Sequence, residues 1–129
     1  MIVADSDVLI DALAGREPYE SRVREEIARG SLATTTVNAF ELLSGARSPA
    51  TREKIQTLIG AMIILPFDEQ AAAVATGVRR ELEASGKAIG MADYLIAAIC
   101  LARSAPLLTR NVAHFARVPG LPVLELEGG

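Results

Sequence analysis

The sequence predicts an α/β sandwich on a mainly parallel, five-stranded sheet, and two observations carry that prediction. Short apolar runs of strand length alternate with longer stretches whose apolar residues recur at helical spacing. Composition points the same way. Half the residues are apolar but only 4% are aromatic, so Ala, Val, Leu and Ile must build the core. That suits helices packed on a sheet better than two packed sheets. At 129 residues the chain has the length of one domain, 1–129, with room for a sizeable core.

The elements follow in order. "IVA" (2–4) reads as a short buried strand, followed by a helix from about 7 to 14 that Gly15 stops. Pro18 opens a charged helix through about 28, with Val23 and Ile27 on its inner face and Gly30 at its end. "SLATT" (31–35) is the second strand, and Thr35 or Thr36 caps a helix carrying Asn38, Glu41 and Leu42 to about Gly45. Pro49 begins a helix to about 59, and "MIILPF" (62–67) is a third strand stopped by Pro66. Asp68 is a good N-cap for a long helix with Ala71, Val74, Ala75, Val78 and Leu82 on one face, ended by Gly86. After Gly90, residues 91–103 form a helix so apolar that it must be buried almost all round. "PLLT" (106–109) is a fourth strand, a short helical turn holds His114 and Phe115, and "PVLEL" (122–126) is a fifth.

The bulk properties exclude several classes. The net charge of −3 argues against a generally basic protein that coats nucleic acid, while leaving room for a local basic rim around an acidic site. The single cysteine, Cys100, lies in the apolar run "YLIAAICLA" and reads as core filler; no intramolecular disulfide is possible, which fits a reducing cytoplasm. The longest apolar runs fall far below the roughly 20 residues a spanning helix needs, and no basic leader precedes an apolar region. A cytoplasmic protein without a membrane segment is expected.

In a parallel sheet, sites form beyond the carboxyl ends of the strands. The polar residues there make one chemical set. Asp5 ends strand one; Thr35 and Thr36 end strand two, with Glu41 one to two turns on; Asp93 sits in the first turn of the buried helix; Thr109, Arg110 and Asn111 end strand four. Three carboxylates with hydroxyl and amide support suit Mg²⁺ or Mn²⁺. Zinc is disfavoured by one histidine and one cysteine in unlike surroundings. Such an ion binds phosphate oxygens and activates water, so phosphodiester hydrolysis follows as a reaction class. Asp7 and Asp11 read as helix-start and solvated charges, and His114 as a surface or packing histidine.

Four segments, "MIVADSDVLIDAL", "ATTTVNAFELLSGA", "GMADYLIAAICLA" and "LLTRNVAHFARVPGL", resemble in order and spacing the signature segments of the PIN domain, and within it the VapC toxins of toxin–antitoxin pairs. The resemblance covers essentially the whole chain. It implies a PIN-like three-layer sandwich and a Mg²⁺- or Mn²⁺-dependent endoribonuclease toxin that cuts RNA, leaving 5′-phosphate and 3′-hydroxyl ends, and so inhibits translation. Carried over position by position, Asp5, Glu41 and Asp93 match the catalytic, metal-holding acids, and Thr109 and Ser6 match supporting hydroxyls. Asn111 stands where many relatives have a fourth acid, which leaves the site one charge short. Asp7 stands where asparagine is frequent. Arg79, Arg80, Lys87 and Arg110 are candidates for an RNA-facing rim. The resemblance also implies a homodimer, with "LIGAMIIL" and the 37–60 helices as available faces. A small VapB-like antitoxin is expected as well; such partners bind a groove and often place a basic side chain near the acids.

Two other readings fit the opening strand. "IVADSDV" is similar to the start of haloacid-dehalogenase-type phosphatases, with Asp5 as nucleophile and Asp7 as general acid, although the chain is short for that fold and lacks its later acidic segments. A non-catalytic PIN-like module that binds RNA or protein is the other, and retention of all three acids speaks against it. Asp7→Asn separates the phosphatase from the PIN nuclease: assayed side by side on RNA and on a phosphomonoester, it abolishes activity in a phosphatase but leaves much of it in a nuclease.

Overall fold

The computed structural model describes residues 1–126; the last three residues of the expected domain 1–129 lie outside the described residues. The elements run β1 (Ile2–Ala4), α1 (Ser6–Leu13), α2 (Tyr19–Ala28), β2 (Leu32–Thr35), α3 (Thr36–Gly45), α4 (Pro49–Gly60), β3 (Ile63–Leu65), α5 (Glu69–Ala84), α6 (Met91–Ala102), β4 (Leu107–Leu108), α7 (Val112–Phe115) and β5 (Val123–Leu124). Every strand pairing is parallel, in the order β3-β2-β1-β4-β5. The helices cover both faces, so the sheet is the middle of three layers.

The three inner strands, β1, β2 and β4, are short and uncharged because both of their faces are buried. Their alternation sends successive residues to opposite sides. Val3, Ala33 and Leu107 join the core under α5 and α6, whereas Ala4, Leu32 and Leu108 join the core under α1–α4. The outer strands are shorter than the sequence suggests. The third shrinks from 62–67 to Ile63–Leu65, and the fifth from 122–126 to Val123–Leu124. Each has one strand neighbour, and Pro66 and Pro122 have no N–H to offer a ladder.

Helix starts behave as the capping residues dictate. Asp68 caps α5 through the N–H of Ala71 at 2.9 Å, and Ser48 caps α4 through Thr51, with Pro49 in the first turn. Gly15, Gly30 and Gly86 follow α1, α2 and α5 at φ +75, +68 and +69, the left-handed conformation that glycine adopts without a Cβ clash. In α6, Tyr94 and the unbroken run Ile96–Cys100 are buried, as its composition requires. No helix among the described residues is long and apolar enough to cross a membrane.

The topology decides where a site can form. From β1 the chain steps one way to β2 and β3, then returns to lay β4 on the other side of β1, with β5 beyond it. Connections therefore leave β1 and β4 in opposite directions, and a crevice opens between their carboxyl ends. Asp5 and Thr109 are the next residues after those two strands. The short α7 is fixed over this end by Phe115, whose side chain is fully buried. We expect Phe115→Ala to cost about 3–5 kcal/mol of stability, read from urea unfolding, because one turn of helix has no other large anchor in the core.

Candidate functional site: an acidic crevice at the carboxyl edge

Asp5 is the fixed point of the crevice. It is buried and is the N-cap of α1, and three donors hold its carboxylate. Oδ1 accepts from the backbone N of Ser6 at 2.8 Å and from Asn38 Nδ2 at 2.9 Å; Oδ2 accepts from Thr109 Oγ1 at 2.8 Å. A carboxylate has about four lone-pair sites, so three are filled from separate parts of the chain.

Asn38 is itself fully determined. Thr35 caps α3 by accepting from Asn38 N at 3.1 Å, and the Thr35 hydroxyl donates to Asn38 Oδ1 at 2.7 Å. The amide nitrogen is then free to donate to Asp5 and to Ser6 Oγ, the latter at 2.9 Å. Ser6 in turn donates to Glu41 Oε1 at 2.9 Å. Thus the supporting role expected of Ser6 takes a definite form: it ties the first acid's helix to the second acid. Thr109 does the same on the other side, because its Oγ1 also accepts from Asn111 N at 3.0 Å.

Asp93 lies in the first turn of α6, where the helix dipole favours negative charge. Its Oδ2 stands 3.4 Å from His114 Nδ1, and the Asn111 amide stands 3.0 Å from the same ring nitrogen. The acids feel one another. Partial burial, followed by the charges of Asp5 and Asp93, raises the Glu41 carboxyl above the usual glutamate range against the Ser6 hydrogen bond. Burial and the Asp5 charge raise Asp93 against its contact with His114. Three acids from three distant segments therefore share one field. Among the described residues, no three His, Cys, Asp or Glu side chains stand close enough together to hold a metal ion by themselves.

The remaining assignments divide. Asp11 is corrected: it is not a solvated helix charge but only 2% exposed, and it pairs with Arg16 Nη1 and Arg110 Nη1, each at 2.9 Å. The face of α1 that presents Asp7 presents Asp11 one turn later, toward the segment after β4. Arg110 is therefore engaged by Asp11 through its guanidinium, and its backbone N donates to Asp7 Oδ2 at 3.1 Å. Arg79 pairs with Glu83 along α5, while Arg80 and Lys87 are exposed. Cys100 is buried and its thiol is pushed up to about 12 by that burial, which leaves it no thiolate at neutral pH.

Two residues were missed as site members. Asn38 had a signal: it lies three residues after a capping threonine and three before Glu41, hence on the acid's own face of α3. His114 also had one, its spacing of three from Asn111 within a single turn. Each looks ordinary alone, since the contacts that recruit it come from residues far off in sequence.

The PIN-domain family profile matches residues 2–121. This chain belongs to the PIN-domain family. Among its relatives, a ribonuclease VapC10 of Mycobacterium tuberculosis is 36% identical over 115 residues, covering 89% of this chain and 86% of that protein. A tRNA(fMet)-specific endonuclease VapC of Shigella flexneri is 27% identical, with 91% of each chain covered. The fold is that of a chain in the crystal structure of VapBC2 from Rickettsia felis bound to a DNA fragment from their promoter, with a TM-score of 0.84 at 24% identity over 98% of this chain and 100% of that one. The three-layer parallel sandwich read from the sequence is thus the PIN fold.

Within this PIN domain, Asp7 is strained. Burial, then repulsion from Asp5, raises its carboxyl to about 6, and its buried Oδ1 has no hydrogen-bond partner among the described residues. A carboxyl raised in the folded state begins to cost stability as pH rises past its unfolded value, costs the full amount above its folded value, and costs nothing where both states are protonated. In metal-free protein, Asp7→Asn keeps an acceptor for Arg110 N and removes that charge. We expect it to raise the melting temperature above about pH 6, with the gain fading toward the ordinary aspartate value of 3.8. Because Asp7 is partly exposed, the gain is on the order of 1 kcal/mol after solvent screening. Melting curves of both proteins from pH 4 to 8 provide the check.

Proposed function

We propose that this chain is a VapC-type endoribonuclease toxin of a type II toxin–antitoxin pair, hydrolysing RNA phosphodiester bonds with Mg²⁺ or Mn²⁺ and so inhibiting translation. One observation carries the reading: Asp5 at the start of α1, Glu41 in the middle of α3 and Asp93 at the start of α6 share one electrostatic field in the crevice between β1 and β4. The ribonuclease relatives supply the substrate class.

The donor set fits a hard divalent ion. It is all oxygen, and a bound cation relieves both the burial of charge and the mutual repulsion that raise Glu41 and Asp93. The open spacing of the acids suits Mg²⁺, which keeps several of its waters rather than entering an all-protein cage. When bound, such an ion supplies Lewis acidity and activates water for attack on a phosphodiester. The chain's own work is placement. Asn38, Ser6 and Thr109 aim the Asp5 carboxylate, Ser6 restrains Glu41, and His114 restrains Asp93. Neither Cys100 nor any second histidine offers a covalent or two-histidine route. Asp7 faces the Arg110 backbone, an arrangement that favours structural work over acid catalysis.

The antitoxin half of the reading has support of its own. A groove of about 380 Å³ between α1, α3 and α4 is lined by Ile10, Leu13, Leu42, Ala46 and Ile55, and Glu41 stands on its wall. An amphipathic segment seated there reaches the acids directly. The protein's place is then the cytoplasm, alone or as a homodimer when freed of its partner.

The test uses antitoxin-free protein and end-labelled RNA. Cleavage is expected with Mg²⁺ or Mn²⁺, lost on chelation and restored by adding the ion back. Asp93→Asn and Glu41→Gln should each lower the rate by about 100-fold or more. RNA left intact with either ion, or cutting that survives chelation, overturns the reading.

A further inference from the structure

We infer that His114 is a positioning residue for Asp93: with Asn111 behind it, its Nδ1–H holds the Asp93 carboxylate in place for the cation. The inference rests on the nuclease reading for the role of Asp93. Its evidence is the geometry of one short segment. Residues 109–114 touch two acids that lie 88 positions apart, Asp5 through Thr109 Oγ1 and Asp93 through His114 Nδ1 (93 − 5 = 88).

The chemistry follows from what one ring nitrogen can do. Nδ1 stands 3.4 Å from Asp93 Oδ2. A lone pair there faces a carboxylate oxygen and repels it; a hydrogen there attracts it. Neutral imidazole carries a single N–H, so holding Asp93 requires that hydrogen on Nδ1. The Asn111 amide, at 3.0 Å through Nδ2, is compatible once it turns by half a rotation and presents its carbonyl oxygen to the same N–H. One donor is then shared by two acceptors. Asn111 thus spends its side chain on His114.

The brace is rigid where it needs to be. Phe115, the next residue, is fully buried and fixes the backbone of α7. Phe115 N bonds Asn111 O at 3.4 Å, and Asn111 N bonds Thr109 Oγ1 at 3.0 Å. His114 keeps 46% of its side chain exposed, more than a residue held for packing alone retains. Carboxylates that hold metals are themselves commonly oriented by such outer hydrogen bonds.

The experiment has two arms. Because His114 is the only histidine, long-range ¹H–¹⁵N spectra of untagged, metal-free protein at pH 8 report its tautomer without assignment. A protonated Nδ1 is expected; Nε2–H with a bare Nδ1 overturns the inference. In the second arm, Mn²⁺ affinity is read by electron paramagnetic resonance of the free ion. His114→Leu keeps bulk without a donor and should weaken Mn²⁺ by about 10–100-fold, whereas His114→Asn, whose amide nitrogen stands near Nδ1, should stay within about threefold of the parent. Unchanged affinity in His114→Leu overturns the inference, as does equal loss in both variants. A packing role instead lowers the melting temperature of both variants and leaves Mn²⁺ affinity intact. If the parent binds no Mn²⁺ and cuts no RNA, the nuclease reading falls and takes the inference with it, whereas a functional parent beside an unaffected Leu variant fails the inference alone.

Discussion

The carboxylate of Asp5 is the constraint on which the rest of the structure turns. A buried acid at the end of the central strand costs several kcal/mol unless it is bonded. Here the first turn of α1, the Asn38 amide of α3 and the Thr109 hydroxyl after β4 each supply a donor. Hydrogen bonds to an ionised acceptor are roughly twice as strong as neutral ones, and a donor removed from a buried carboxylate leaves a large penalty behind. Satisfying one side chain therefore fixes three things: how α1 departs, how deep α3 starts, and where the chain passes after β4. The parallel sheet makes this possible, since only at the switch between β1 and β4 do two strand ends open toward each other.

Crowding is the price of that arrangement. Glu41 and Asp93 are both raised by burial and by neighbouring charge, and Asp7 adds a further carboxylate two residues from Asp5. The fold offsets part of the repulsion with helix starts: α1, α3 and α6 all begin at this edge and direct their positive ends toward it. It does not offset all of it. A protein selected for stability alone would not hold like charges together, and such conflict between local preference and global fold gathers at functional sites.

Much of this was legible in the sequence. The inner strands read as apolar runs because they are buried on both faces, and the caps at Thr35 and Asp68 are local chemistry, visible as a polar residue before an apolar period. Asp5, Glu41, Asp93, Ser6 and Thr109 were legible as strand-end polar residues and family positions, and the structure brings them into one network. What was not legible depends on non-local partners. Asp11 looks like any acid in a surface helix until Arg110, 99 residues later, arrives beside it. Arg110 looks like a free rim charge until Asp11 takes it. Asn38 and His114 carry no charge pattern of their own, and only the convergence of β2, β4 and α6 turns them into donors to acids.

The engagement of Arg110 bears on how an acidic crevice attracts a polyanion at all. With one arginine tied to Asp11 and the chain at a net charge of −3, the edge of the sheet presents negative charge to solvent. RNA phosphates approaching that edge are repelled while the acids stand bare; a divalent cation held there would cancel most of that charge and offer the phosphate oxygens a direct contact. On the nuclease reading, the cation is thus needed for encounter as well as for chemistry. A basic side chain from a partner seated in the α1–α3–α4 groove would satisfy the same acids without offering water activation. Activity and inhibition then compete for one set of carboxylates, and the same repulsion that strains the isolated fold supplies the binding energy for either occupant.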